Sequence, residues 1–170
     1  MKMRTLLAAI CLLPIAPASA QEPPFAGEGN AGDMHVSQVT ITDLGAFGDQ
    51  YRALGTNGLP QSATRAAIGE RIFTVIFFDR CRAGGDGSCN LIVELRIIDP
   101  EGGVGDPRTG TLWQFPPPRA GATTMGQAMM GVQLGSDRRP GDYRIRVTTR
   151  DTIAGTSVTT ERVLAIGDSR

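Results

Sequence analysis

Apolar and polar residues alternate with a period of two along much of this chain, the pattern of strands half-buried in a sheet. Val36 to Leu44 alternates around Val39 and Ile41, with Thr40 and Thr42 between them, and predicts a first strand. Arg71 to Asp79 breaks the alternation. It places Ile72, Ile76 and Phe78 on one face and Phe73, Val75 and Phe77 on the other. A strand apolar on both faces must be covered on both, so a central position is predicted for it. Asn90 to Ile98 alternates cleanly, with Leu91, Val93, Leu95 and Ile97 inward and Glu94 and Arg96 outward. These two strands read as a β-hairpin. Thr111 to Phe115 is a short strand carrying Trp113, stopped by Pro116-Pro117-Pro118 because proline cannot donate to a ladder. Residues 125–134 fit a helical face or a strand, and are read as a strand beginning near Met129. Tyr143, Ile145, Val147 and Thr149 alternate with Arg144, Arg146, Thr148 and Arg150 in the next strand. A hairpin loop at Asp151–Gly155 leads to a last strand, Thr156 to Ile166. About seven short antiparallel strands, separated by turns such as Asp99-Pro100-Glu101-Gly102-Gly103, predict an all-β sandwich. Gly45 to Glu70 resists this reading. It is rich in glycine and small polar residues and reads as a long connection with at most a weak edge strand or a short helical turn. A structureless loop of that length is unusual in a compact domain.

The first twenty residues follow a different plan. Lys2 and Arg4 precede an apolar run from Thr5 to Ala16, and Ala18-Ser19-Ala20 supplies a small-x-small cleavage site. This is the layout of a secretory signal peptide cut after Ala20, and it predicts a periplasmic or secreted product. The run is shorter than the ~20 apolar residues of a membrane span, and Pro14 and Pro17 interrupt it. Cys11 follows Ile10 rather than a small residue, which disfavours a lipoprotein signal. The expected organisation is a signal peptide at 1–20, a flexible arm of turn composition at 21–34 and one sandwich domain at 35–168.

Charge narrows the function. The chain has 17 basic and 17 acidic side chains, and losing Lys2 and Arg4 with the signal leaves an acidic excess of two. A basic nucleic-acid footprint is excluded. Every basic residue after Lys2 is arginine. Cleavage also removes Cys11 and leaves Cys81 and Cys89, separated by a Gly-rich loop. In an oxidising compartment this pair reads as a local disulfide, contributing about 2–3 kcal/mol by closing the loop. It lacks the Cys-x-x-Cys spacing of a thioredoxin-type pair, and a zinc site would need further ligands.

Pro140-Gly141-Asp142-Tyr143-Arg144-Ile145-Arg146-Val147, followed by Asp151 and Gly155, resembles the penultimate strand of immunoglobulin-like and fibronectin type III-like domains of secreted bacterial proteins. Ile97-Ile98-Asp99-Pro100-Glu101-Gly102 looks like their mid-domain strand and turn. The resemblance implies an immunoglobulin-like sandwich over residues 36–166. It also implies a buried corner tyrosine, Tyr143, whose hydroxyl bonds backbone. The chain departs from antibody-type domains in lacking their inter-sheet disulfide, since its own cysteine pair lies in one predicted hairpin.

No catalytic constellation stands out. His35 is the only histidine, and no Gly-x-Ser-x-Gly elbow accompanies it. Asp79, Asp86 and Asn90 flank the cysteine loop as oxygen donors, at a spacing matching no known calcium loop. A non-enzymatic protein without cofactor or metal is expected. In the immunoglobulin-like arrangement Glu94 and Arg96 neighbour Arg144 and Arg146, giving a candidate face for a protein partner. The alternative is a carbohydrate or cell-wall-fragment module whose loops use Trp113, with Tyr51 in the long connection. No membrane span and no nucleic-acid partner are expected.

Overall fold

In a computed structural model, which describes residues 27–55 and 58–167, two sheets pack face to face and one helix lies on the outside of the first. The strands are β1 (Glu28–Ala31), β2 (Met34–Ile41), β3 (Arg65–Ala67), β4 (Arg71–Phe78), β5 (Leu91–Ile98), β6 (Arg108–Trp113), β7 (Thr124–Gln133), β8 (Gly141–Asp151) and β9 (Thr156–Gly167). The helix α1 spans Leu44–Leu54. Sheet A has the order β1-β2-β4-β7, and sheet B the order β3-β9-β8-β5-β6. All pairs are antiparallel except β3 with β9. This is an all-β, immunoglobulin-like sandwich. Edge strands bring its count above the expected seven.

The inner faces meet in one core. Ile72, Ile76 and Phe78 of β4 and Val36 of β2 pack against Leu91, Val93 and Leu95 of β5, Tyr143, Ile145 and Val147 of β8, and Leu164 of β9. Gln38, fully buried, links the sheets. Its Nε2 donates to the Ile145 carbonyl at 3.0 Å, and its Oε1 accepts from Thr160 Oγ1 at 2.9 Å. A buried amide left without those partners would cost about 1–3 kcal/mol. Tyr143 is buried and its hydroxyl donates to the Arg139 carbonyl at 2.9 Å, the corner arrangement implied by the resemblance.

β4 is interior in sheet A, as its two apolar faces predict. Its outward row, Phe73, Val75 and Phe77, forms a second core with Val39, Ile41 and α1. Asp43 caps the helix by accepting from the Gly45 and Ala46 amides at 2.8 and 3.0 Å. Phe47, buried, stacks on Tyr51 with ring centroids 6.0 Å apart, and Tyr51 meets Phe77 at 5.8 Å. The 45–70 connection therefore holds a three-turn helix and a strand. Its apolar stripe, Phe47, Tyr51 and Leu54 at i, i+4 and i+7, is diluted by Gly45 and Gly48, and no length of strand alternation marks β3.

Three further expectations need correction. β4 and β5 do not form a hairpin: they lie in different sheets, and the Cys81–Cys89 disulfide closes a loop in the connection between those sheets. Pairing them in one sheet would set Glu94 and Arg96 beside the apolar row under α1. The expected arm is ordered from Gly27: β1 forms a hairpin with β2, turning at Gly32 with φ 57°. Gly29 of β1 approaches sheet B so closely that a Cβ would come 2.8 Å from Val158, so its glycine composition serves packing. The strand expected to begin near Met129 begins upstream, at Thr124. The expected signal peptide and residues 21–26 lie outside the described residues.

Phe47→Ala should remove the anchor of α1 and lower unfolding free energy by about 3–5 kcal/mol, read as a reduced denaturant midpoint.

Candidate functional site

With α1 on sheet A, the outer face of sheet B is the broad sheet surface that no helix or strand covers among the described residues. Alternation decides what it displays. β5 turns Ile92, Glu94 and Arg96 outward, β8 turns Arg144, Arg146, Thr148 and Arg150 outward, and β9 turns Thr159, Glu161 and Val163 outward. Register aligns Arg96 with Arg146, and Arg146 with Glu161. Glu94, Arg96, Arg144 and Arg146 thus share one face.

Glu161 organises this face. Its side chain is only 1% exposed, although it lies on the outer side of the sheet. Arg146 Nε donates to its Oε2 at 2.8 Å, and Arg144 Nη1 stands 3.7 Å from its Oε1. The two arginine side chains are 33% and 39% exposed. They cover the carboxylate. Arg96 Nε donates to Glu94 Oε1 at 2.6 Å within β5. Thr148 and Thr159 hydroxyls lie 3.1 Å apart across β8 and β9. Exposed Ile92 and Val163 add apolar surface. Two guanidiniums stand over the one carboxylate of Glu161. Partly exposed Arg144 and Arg96 give the face planar N–H donors, a geometry fitted to carboxylates.

Sequence reasoning missed Glu161. Its signal was the register of the β8–β9 hairpin: closing the chain at Asp151–Thr156 sets Glu161 against Arg146.

Other candidates have local roles. Trp113 is half-buried at the disulfide end, between Phe78 and Phe115 with ring centroids at 5.5 and 5.2 Å. Its indole N–H donates to the Pro116 carbonyl at 3.1 Å. It is packed into the end of the sandwich, and Phe115 is the exposed ring. Tyr51 lies on α1 and packs against Phe77 on the outer side of sheet A. His35 lies on β2, with Nε2 4.0 Å from Glu28. Asp79 accepts from the His35 amide at 3.0 Å, and Asp86 accepts from the Ser88 amide at 3.0 Å. The Asn90 Oδ1 accepts from Gln114 at 3.3 Å. Buried Asp151, expected in the hairpin loop, is the last residue of β8 and accepts from the amides of Arg82, Ile153 and Ala154. It ties the β8–β9 turn to the disulfide loop. No group of three or more His, Cys, Asp or Glu side chains converges among the described residues. No helix among them is long and apolar enough to cross a membrane.

No protein-family model and no curated protein sequence matches the chain. Among solved structures it is similar to a family 123 glycoside hydrolase from Clostridium perfringens, at 10% identity and TM-score 0.46, covering 79% of this chain and 27% of that one. It is similar to the alkylpurine DNA glycosylase AlkC of Pseudomonas fluorescens, at 19% identity and TM-score 0.36, covering 59% and 27%. It is also similar to the CARDB domain of a Pyrococcus furiosus protein, in complex with di-metal ions, at 9% identity and TM-score 0.37, covering 91% and 99%. The chain thus spans about a quarter of the length of the first two.

Glu161→Gln keeps the shape but removes the charge that gathers Arg144 and Arg146. It should cost about 1.5–3 kcal/mol of stability, the scale of a hydrogen bond to a charged group, measured by chemical denaturation. Arg96→Gln, on an exposed pair, should cost less than about 1 kcal/mol in the same assay.

Proposed function

We propose that this protein is an exported, non-enzymatic, immunoglobulin-like module that docks an acidic protein surface on the outer face of sheet B. The observation that carries this reading is the partly exposed guanidinium of Arg144 held beside buried Glu161, with that of Arg96 on the same face. Arginine is enriched at protein interfaces, where its fork contributes directional bonds. Guanidiniums already held in place lose less rotamer freedom on binding. Val163, the register partner of Arg144, supplies apolar surface beside them. Two features support export: the signal-peptide layout of residues 1–20 and a disulfide between the two cysteines that cleavage would leave. The carbohydrate reading gains nothing from Trp113, whose N–H is used within its own loop.

A photo-crosslinking residue in place of Val163, in the exported chain, tests this directly. It should trap a partner with an acidic surface. Arg96→Gln/Arg144→Gln leaves Arg146 on Glu161 and should weaken that complex about tenfold for each charge-assisted hydrogen bond removed. Trp113→Ala should leave it unchanged. Crosslinking that persists in the double variant, or no crosslinking at Val163, would contradict the proposal.

A further inference from the structure

Each sheet has two edges, and three of the four are protected. β1 is four residues long and carries Glu28, and β3 is three residues long and begins at Arg65. β6 begins at Arg108 after Pro107, and Pro116-Pro117-Pro118 follows it closely. Short length, charge and proline are the usual devices that stop a free edge from pairing with another chain. β7 is not short and carries neither charge nor proline. It is ten residues long, pairs with β4 alone among the described residues, and lies within a run from Ala120 to Ser136 that contains no charge and no proline; a bulge and the Arg108 side chain are what interrupt it.

We infer that β7 is a self-association edge, where two copies of this chain pair antiparallel about a two-fold axis and join their A sheets into one. A two-fold interface sets one patch against itself, so the occupant must match β7 in charge. An uncharged strand meets its own copy without the like-charge cost that a charged one incurs. β7 bulges opposite Ile76, between Met125 and Met129, and runs regularly from Met129 to Gln133. The regular stretch is the part that pairs. Met129, 40% exposed on the outer side opposite Val75, gains apolar cover from the second copy. One group now stands at this edge: Arg108 Nη1 donates to the Gly131 carbonyl at 2.8 Å. Arg108 is exposed, and it swings aside as the second strand takes that carbonyl. The edge lies apart from the Arg144–Arg146 face, so this inference does not depend on the proposed docking there.

Sedimentation velocity of the signal-free, disulfide-bonded chain over a concentration series tests it. The parent protein should be a dimer. Met129→Arg, which places a cation beside its own copy, should be a monomer with an unchanged unfolding midpoint. Arg108→Ala should tighten the dimer several-fold. A parent protein that stays monomeric at its highest soluble concentration overturns the inference, as does a dimer that Met129→Arg leaves intact.

Discussion

A strand with large apolar side chains on both faces cannot lie at a surface, and β4 is such a strand. Ile72, Ile76 and Phe78 need one cover, and Phe73, Val75 and Phe77 need another. Sheet B supplies the first and α1 the second. At roughly 1.5–3 kcal/mol for each large apolar side chain buried, these six residues outweigh any surface ion pair in the molecule. The rest of the layering follows from them. β4 must be interior to its sheet, β2 and β7 must flank it, and the segment after β2 must fold back as a helix.

The same constraint decides which sheet face stays open. Because α1 occupies the outer side of sheet A, sheet B keeps the open face, and its strands can carry charges there. Register then sets the chemistry. It places Glu161 between two arginines of the next strand and buries it beneath them. The face is thereby more than a solvated row of charges, because its cations are positioned by a buried anion. The disulfide is compatible with an exported protein, while the proposed docking rests on this face alone.

Most strands were legible because alternation is a local signal: β5, β8 and β9 match their patterns closely. Tyr143 was legible through its Gly-x-Tyr context. The misreadings share a cause. Adjacent strands joined by a Gly-rich loop resemble a hairpin, and only face matching separates them. β4 has no polar face to lie beside Glu94 and Arg96, so β5 belongs to the other sheet. α1 was obscured by Gly45 and Gly48, which weaken helix propensity, although Asp43 and the Phe47–Tyr51 spacing mark it. β1 and β3 are short, and tertiary packing rather than composition makes them strands. At the site, four arginine and glutamate positions were legible from alternation, whereas Glu161 required the register of a hairpin.

The dependence of the layers on β4 is open to one direct measurement, native-state hydrogen exchange resolved by residue. If both faces of β4 are locked, amides from Ile72 to Phe78 exchange only through global unfolding, with the same free energy as those of β8. If they exchange through a cheaper opening while β5 and β8 stay protected, α1 does not hold the second face, and the account of the fold and of its open face fails.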